Sequence, residues 1–393
     1  MANLAPATQE GSTEEDLEYL NEEDVGEVID DEAGEPMSED EDENEEGEEN
    51  QLLLVDDSIQ GFFDHRQPVY AVAIHPTQEA IVMTGGGDDK SYLWRADTGE
   101  KLFELAQHED SIIAVGFSAD GQFAASGGMD GKVNVFTVAT GELVVTLDGP
   151  TEITWLNWHP RGNVLLAGTE DGTMWMWQVP SGNCMNVFSG HVDSVSCGQF
   201  APDGKTIVSG SSDGSIIVWD PKTANANLRI TGEDARFHNA PITAVAIHHD
   251  NQLVLTGAQD GTARLVHIGN GRILASFDNH SDSIEAVGFC RSMPLAATAS
   301  VDGTISIWDV TGLRLRQSVR HEDAVTQLRW HSSEPIFASA SADRTVKVWD
   351  ARTGECLKTF RGHQETILDF AMTRDGRTII TGSDDGTSLV FSI

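Results

Sequence analysis

Seven histidines each precede an aspartate by 22 or 23 residues, and this pairing is the first feature of the sequence that could do chemistry. The pairs are His65 and Asp88, His108 and Asp130, His191 and Asp213, His238 and Asp260, His280 and Asp302, His321 and Asp343, and His363 and Asp385. A histidine beside a carboxylate is the basis of a catalytic dyad or a metal site. No enzyme needs so many copies of one dyad. The repetition therefore favours a structural role and predicts no catalytic residue, no metal and no other cofactor.

Each of these aspartates belongs to a longer repeated unit. An eighth copy, Asp171, completes a series in which neighbours are 41, 42 or 47 residues apart. Most copies have Ser or Thr four residues before the aspartate and an aromatic residue six residues after it, as in Ser209, Asp213 and Trp219. A self-similar period of about 40–45 residues that ends in Trp-Asp indicates the four-stranded blades of a β-propeller.

These motifs resemble the WD40 repeat family from about residue 58 to the C-terminus. The resemblance implies an all-β fold, an eight-bladed WD40 β-propeller. Four repeats carry the complete set of His, Ser or Thr, Asp and Trp, which should form a buried hydrogen-bonded network within each blade. The residues to which we assign this structural role are His65, Asp88, Trp94, His191, Asp213, Trp219, His280, Asp302, Trp308, His321, Asp343 and Trp349. The third repeat has Pro150 and Ala167 instead of histidine and Ser or Thr, so its loop should be the least rigidly held.

The two ends of the repeated region should complete one blade together. The last repeat ends at Ile393, directly after its third strand. Residues 58–63 match the segments that precede later histidines, so this N-terminal segment should supply the missing fourth strand. Closure of the ring in this way leaves no free sheet edge. We therefore predict one eight-bladed propeller domain over residues 51–393.

Residues 1–50 form a separate acidic region. Twenty-five Asp and Glu residues and no Lys or Arg precede Arg66, in a chain whose net charge is −40. Like charges repel and little apolar surface is available for burial, which predicts a disordered acidic arm. The arm either keeps the protein soluble or attracts a basic partner.

Composition excludes several classes of function. The net charge of −40 has the wrong sign for direct binding of nucleic acid. No apolar run approaches a membrane span and no signal segment is present, so no membrane contact is expected. The four cysteines lack CxxC spacing, which is typical of reduced packing residues in a cytosolic or nuclear protein. We expect a monomer located in the cytoplasm and also in the nucleus.

Acidic residues recur where the top loops of a propeller should lie. The positions two residues after each histidine position hold Gln67, Asp110, Glu152, Asp193, Ala240, Asp282, Asp323 and Glu365. Glu170 and Asp384 lie beside turn aspartates, and the tops of first strands hold Tyr70, Trp155, Glu285 and Asp369. The acids predict a ring of negative potential that binds a basic protein, with Tyr70 and Trp155 available to stack on arginine. The same acids also suit turns, and Trp155 also suits packing between blades, so both readings stay open.

Three segments narrow the resemblance further. They are residues 155–177 with the sequence Trp155-Leu156-Asn157-Trp158-His159-Pro160 at their start, residues 288–297, and residues 350–371. Together with the acidic arm, they resemble the angio-associated migratory cell protein family. Fungal members are ribosome-assembly chaperones that hold ribosomal protein ten of the large subunit as it is made. The resemblance implies a non-catalytic chaperone that binds the basic N-terminal segment of this newly made protein. The alternatives are a WD40 scaffold in signalling or cell migration, and an acidic chaperone for another basic client such as a histone.

Overall fold

The computed structural model describes residues 55–393, and the acidic arm predicted for residues 1–50 lies outside them. The described residues form 32 β-strands in eight antiparallel sheets of four strands each. The prediction of an all-β, eight-bladed propeller is therefore confirmed. In this part of the chain, no helix is long and apolar enough to cross a membrane, and no cluster of His, Cys, Asp and Glu has the arrangement of a metal site.

Each sheet is one blade, and its strands follow one another from the centre of the ring outward. The first strands are β2 (Val69–Ile74), β6 (Ile112–Phe117), β10 (Ile153–Trp158), β14 (Cys197–Phe200), β18 (Ile242–Ile247), β22 (Ile284–Phe289), β26 (Val325–Trp330) and β30 (Ile367–Met372). The second strands are β3 (Ile81–Gly86), β7 (Phe123–Gly128), β11 (Val164–Thr169), β15 (Ile207–Gly210), β19 (Leu253–Ala258), β23 (Leu295–Ser300), β27 (Ile336–Ser341) and β31 (Thr378–Ser383). The third strands are β4 (Ser91–Arg95), β8 (Lys132–Thr137), β12 (Thr173–Gln178), β16 (Ile216–Trp219), β20 (Thr262–His267), β24 (Thr304–Asp309), β28 (Val346–Asp350) and β32 (Ser388–Ser392). The outermost strands are β5 (Lys101–Leu105), β9 (Leu143–Asp148), β13 (Asn183–Ser189), β17 (Ala226–Ile230), β21 (Ile273–Asp278), β25 (Arg314–Arg320), β29 (Glu355–Phe360) and, in blade 8, β1 (Gln60–Phe62).

Strand β1 closes the ring, as the sequence predicted. It pairs antiparallel with β32, with Gln60 opposite Val390 and Phe62 opposite Ser388. The first strands of neighbouring blades pack against one another all the way round, including β30 of blade 8 against β2 of blade 1. Phe62 is 2% exposed, and its ring stacks on Trp94 of blade 1 with 5.2 Å between the centroids. The closing strand therefore also packs blade 8 against blade 1.

The core lies between the blades, because each sheet is covered on both faces by its neighbours. The second strands are buried on both faces, so they lack polar alternation; Ile207–Gly210 is buried throughout. Leu255 and Leu265 of blade 5 pack with Ile284 and Trp308 of blade 6. Eight similar interfaces hold the ring together and keep the loops at each end in fixed positions.

Two kinds of loop meet at one end of every blade, which we call the top face. They are the loop before the first strand and the turn between the second and third strands. Backbone hydrogen bonds join these two loops, as from Met129 N to Ser111 O (2.9 Å) and from Ser212 N to Ser194 O (2.9 Å). The top face is therefore a rigid surface to which each blade contributes two loops.

A second set of histidines joins neighbouring blades at the opposite end, the bottom face, and the sequence analysis missed it. His75 Nε2 donates to Gly121 O of the next blade (2.9 Å), and its Nδ1 accepts the amide of Gln78 (2.9 Å). Because Nδ1 accepts, the ring proton lies on Nε2. His159 and His331 repeat this arrangement. The available signal was a histidine directly after the first strand in several repeats.

The cysteines fit the expectation of packing residues only in part. All four are free thiols, and Cys290 is buried. Cys184 and Cys356 are exposed on outermost strands, which face solvent rather than a neighbouring blade. Because these two cysteines lie on outermost strands, they are exposed rather than packed in the core.

Candidate partner-binding face

Blade 7 contains a continuous chain of hydrogen bonds through the repeat residues. The indole nitrogen of Trp349 can only donate, and it donates to Ser339 Oγ (2.8 Å). The Ser339 hydroxyl is then free to donate to His321 Nε2 (2.7 Å), so His321 Nδ1 carries a proton and donates to Asp343 (2.8 Å). Asp343 also accepts the amide of Glu322 (3.1 Å). The network thereby ties the loop before the first strand to the turn.

The charge states of this network follow from its burial and hydrogen bonds. Burial lowers the pKa of His321, which favours the neutral ring. Burial by itself would raise the pKa of Asp343, but His321 and the hydroxyl of Thr345 hold it well below its usual range. The same causes lower the pKa of Asp385 in blade 8. These turn aspartates are ionised at neutral pH, and their oxygens are occupied inside the protein.

Blades 4 and 6 contain the same links from Trp to hydroxyl to His, but their histidine Nδ1 lies closer to Ser215 Oγ or Thr304 Oγ1 (3.0 Å each) than to the turn aspartate (3.4 Å). Blade 1 lacks the link from Trp. Trp219 donates to Ser209 Oγ (2.8 Å) in blade 4, and Trp308 donates to Thr298 Oγ1 (2.9 Å) in blade 6; their histidines are His191 and His280. In blade 1, His65 bonds to Asp88 (2.9 Å) and Thr84 (3.0 Å).

The Trp94 indole nitrogen in blade 1 is buried without a partner within the described residues. The prediction that blade 1 contains the complete hydrogen-bonded set was therefore wrong for Trp94, the last member of that set. The Trp94 ring instead stacks on Phe62 of the closing strand, with 13° between the ring planes.

In blade 3, which lacks the histidine, threonine hydroxyls bond to the turn aspartate. Asp171 Oδ1 accepts hydrogen bonds from the hydroxyls of Thr169 and Thr173 (2.7 Å each). The Asp171 amide donates to the hydroxyl of Thr151 (3.2 Å), which links the turn to the loop before the first strand. The two loops of this blade are therefore joined by other side chains than in the complete repeats.

Five acids occupy equivalent positions on the top face, two residues before a buried apolar residue that begins the first strand or, in blade 4, precedes it. They are Asp110, Asp193, Asp282, Asp323 and Glu365, and all five are exposed. Each of the four aspartates accepts the amide of the next residue at 2.7 Å through one oxygen. The second oxygen of each has no hydrogen-bond partner within residues 55–393. A turn role and a binding role are therefore compatible in the same carboxylate.

Glu152 does not belong to this set, because Gly149 rather than Pro150 stands at the histidine position of blade 3. The Gly149 amide donates to Gly131 O as the His321 amide donates to Gly303 O in blade 7. Glu170 N donates to Glu152 O as Met129 N donates to Ser111 O, so Glu152 occupies the position that follows the acid. Thr151 takes the acid position instead. Glu152 is only partly exposed, while Glu170 on the turn is exposed. Asp384 is exposed at the turn position of blade 8 that corresponds to Glu170.

Asp369 is also placed differently from the prediction. Its Oδ2 accepts the amide of Val72 on β2 (2.9 Å), and its Oδ1 faces Arg329 of β26 (3.4 Å). Burial raises the pKa of Asp369 despite the opposing effect of Arg329. The pairing of β30 with β31 shifts register between Ile367 and Asp369, and this bulge turns the carboxylate toward blade 1. Asp369 therefore joins blades 7, 8 and 1 rather than offering a free carboxylate to a partner.

Trp155 follows the corresponding bulge in blade 3 and packs between blades 3 and 4. Its indole nitrogen donates to Val195 O (2.9 Å). The ring lies so close to Gly168 and Gly198 that a Cβ on either residue would collide with it. The structure thus favours the packing role among the two that the sequence left open. Tyr70 and Glu285 are exposed at the tops of their first strands.

Comparison with known proteins agrees with this architecture. The model of the WD domain, G-beta repeat, matches eight segments, at residues 57–95, 99–137, 141–178, 182–220, 235–267, 271–309, 314–350 and 354–392. The chain belongs to the WD40 repeat family. Angio-associated migratory cell protein of Homo sapiens is 36% identical over 366 residues, which are 89% of this chain and 83% of that protein. The chain is therefore also a member of the angio-associated migratory cell protein family.

Two further similar proteins are fungal Sqt1 proteins. Ribosome assembly protein SQT1 of Saccharomyces cerevisiae is 27% identical over 400 residues, which are 92% of each chain. The crystal structure of Chaetomium thermophilum Sqt1 bound to the N-terminus of ribosomal protein L10 matches with a TM-score of 0.81 and 28% identity. That match covers 86% of this chain and 100% of the Sqt1 chain.

Among the WD40 repeats of this chain, blade 5 has a histidine that bonds to two threonines instead of a carboxylate. His238 Nδ1 bonds to Thr262 Oγ1 (2.8 Å), and Nε2 bonds to Thr256 Oγ1 (2.7 Å). The turn aspartate, Asp260, accepts the Thr262 hydroxyl (2.7 Å). Burial, together with the charge of Arg264, lowers the pKa of His238 to about 4.

We expect His238 to make the folded state sensitive to mild acid. An unfolded histidine binds a proton near pH 6.5, whereas folded His238 stays neutral down to about pH 4. Between these values the unfolded state binds more protons, so stability falls as pH falls. From pH 7 to pH 5 this residue should lower the free energy of unfolding by roughly 2 kcal/mol.

Urea denaturation of the wild type and of His238→Gln at pH 7 and pH 5 measures this effect. The variant should lose about 2 kcal/mol less than the wild type between the two pH values. Equal losses in the two proteins would contradict the assignment. The comparison of losses is independent of any constant destabilisation that the substitution itself causes.

Proposed function

We propose that this protein is a chaperone that binds the basic N-terminal segment of ribosomal protein L10 on its acidic top face. It holds the segment in extended form in the cytoplasm until L10 joins the large ribosomal subunit. The observation that carries the proposal is the set of five exposed carboxylates at equivalent positions around the ring. Further support comes from the similar Sqt1 structure, which is described as bound to the N-terminus of L10.

The two ends of the propeller differ in how their carboxylates are used. On the bottom face, several acids pair with an arginine of the same loop, as Asp97 does with Arg95 (2.5 Å) and Asp350 with Arg352 (2.6 Å). On the top face, aspartates such as Asp323 keep one oxygen free. A cationic segment therefore meets a set of unpaired carboxylates at the top, whereas part of the negative charge at the bottom is neutralised by arginine.

The physical benefit of this arrangement is fast and preorganised capture. Four of the five carboxylates are fixed by backbone hydrogen bonds, so little ordering of the protein is needed on binding. A ring of one charge sign attracts an oppositely charged chain over long distances and speeds the encounter. A basic segment held in this way is kept from binding RNA before assembly.

A salt titration with matched peptides tests the proposal. We expect a peptide with the L10 N-terminal sequence to bind, with an affinity that falls steeply as salt rises, because surface charges are screened. A peptide in which every Lys and Arg is replaced by Gln should not bind. Fluorescence anisotropy measures both. An affinity that does not change with salt, or equal binding of the two peptides, would rule out capture by charge.

A further inference from the structure

One residue from each blade lines the top mouth of the ring. In each blade this residue directly follows the buried apolar residue at the start of the innermost strand or, in blade 4, just before it. That preceding residue is buried in all eight blades. The eight mouth residues are Tyr70, Ile113, Thr154, Ser196, Thr243, Glu285, Thr326 and Leu368. Because the blades repeat one structure, these eight residues occupy equivalent positions. Their different side chains therefore determine which chemical groups the mouth presents to a partner.

In blades 3, 4, 5 and 7 the side chain of the mouth residue donates a hydrogen bond to the backbone of the next blade. The Thr154 hydroxyl donates to Val195 O (2.6 Å), and the Thr326 hydroxyl donates to Ile367 O (2.7 Å). The hydroxyls of Ser196 and Thr243 make the same bond. These polar groups are therefore satisfied within the protein.

Blades 8, 1 and 2 are consecutive, and their mouth residues are Leu368, Tyr70 and Ile113. Tyr70 is 37% exposed, and the other two are partly exposed. Met129 is 39% exposed on the top turn of blade 2. The Tyr70 ring lies over Gly87 of the same blade, where a Cβ would come within 3.2 Å of the ring. We call these four apolar and aromatic residues the mouth arc.

The mouth arc interrupts the acidic ring and is bordered by acids at both ends. Glu365 and Asp384 lie on blade 8, and Asp110 lies on blade 2; all three are exposed. The exposed Glu109 of blade 2 already pairs with Lys132 (3.3 Å). Between blades 8 and 2, blade 1 carries the neutral Gln67 at the acid position. An exposed apolar patch with a charged rim is typical of a surface that binds another chain.

We propose that the mouth arc binds one apolar or aromatic side chain of the client, with basic client residues on either side of it bound by the acids of blades 8 and 2. This inference rests on the proposed function and names the sequence feature that the site selects. The acids attract any cationic chain, so charge alone does not separate one basic client from another. Burial of an apolar side chain in the mouth arc adds that discrimination.

Two synthetic peptides of equal charge test the proposal. Each carries a run of Lys and Arg on both sides of a central residue, which is Phe in one peptide and Ser in the other. The wild-type protein should bind the Phe peptide about tenfold more tightly, since burial of one apolar side chain contributes an effect of this size. The ratio should persist at high salt, because the apolar contribution is not screened.

Substitutions on the protein locate the effect. The double variant Tyr70→Ser and Ile113→Ser should bind both peptides within about twofold of each other. Val192→Ser is the matched control, because Val192 is 81% exposed on the top face of blade 4, outside the mouth arc. This control should keep the full preference. All three positions are at least partly exposed, so thermal unfolding should show folded proteins.

The outcomes separate the two proposals. Equal binding of the two peptides by the wild type would overturn the mouth arc and leave the acidic top face standing. The same holds if the arc variant keeps the preference, or if Val192→Ser removes it. Failure of both peptides to bind the wild type would overturn the proposed function, and the mouth arc with it.

Discussion

Replacement of Asp110, Asp193, Asp282 and Glu365 together by lysine should abolish binding of a basic client while the propeller stays folded. Each reversal removes a charge-assisted hydrogen bond and adds repulsion between like charges. The loss of affinity should be at least about 100-fold. All four side chains are exposed, and none takes part in the histidine networks. Fluorescence anisotropy with the L10 N-terminal peptide measures the loss, and thermal unfolding verifies the fold.

A control with the same change in net charge decides whether the top face itself matters. Glu100, Glu142 and Glu334 on loops, and Glu355 at the start of β29, are exposed on the bottom face and the outer edge beside it. Their joint replacement by lysine should weaken binding only slightly, because the distance to the bound client exceeds the screening length in physiological salt. If both quadruple variants bind equally weakly, net charge rather than the top face drives capture. If the top-face variant binds normally, the acidic ring has no part in it.

The sequence was sufficient to predict the architecture because the repeated residues mark the position of each blade in the chain as well as the length of the repeat. Each Asp turn fixed the position of one blade, so eight turns predicted eight blades. The last repeat lacked a strand, and residues 58–63 had the pattern of one, which predicted the pairing of Gln60–Phe62 with β32. A propeller that is not closed leaves two free sheet edges, so the pairing follows from the strand count without any detail of packing.

The direction of side chains at the mouth could not be predicted from the repeat alone. A bulge at the start of the first strand shifts register by one residue, and such a slip moves a side chain to the other face. Tyr70 lies on the bulge and is exposed, whereas Asp369 lies one residue after the corresponding bulge, is largely covered, and bonds to the Val72 amide of the next blade. Both residues had been assigned to the same surface.

A misplaced histidine position caused the other error at the site. Glu152 was assigned by its distance from Pro150, but the Gly149 amide donates to Gly131 O as the His321 amide donates to Gly303 O, so Gly149 stands where the other blades have histidine. Two residues after Gly149, Thr151 takes the acid position. A count from the first strand would have found this, since Ile153 aligns with the buried first residue of every other blade.

Phe62→Ala should be the single substitution that most weakens the closure of the ring. The side chain is 2% exposed, and its ring lies between Trp94 and Tyr92 with 5.2 Å to each centroid. Removal of a buried aromatic ring leaves a cavity and costs about 3–5 kcal/mol of unfolding free energy. The neighbouring Phe63 is 62% exposed, so Phe63→Ala is a matched control that should cost less than about 1 kcal/mol.

Urea denaturation of the two variants beside the wild type measures the difference. Strand β1 has only three residues and three pairing positions with β32, so the backbone contributes little, and the burial of Phe62 should dominate the closure. A ring opened at this point exposes the edge of β32, and the Phe62→Ala protein should therefore also aggregate more readily than the Phe63→Ala protein. If the two variants unfold at the same urea concentration, contacts between first strands hold the ring together without the closing strand.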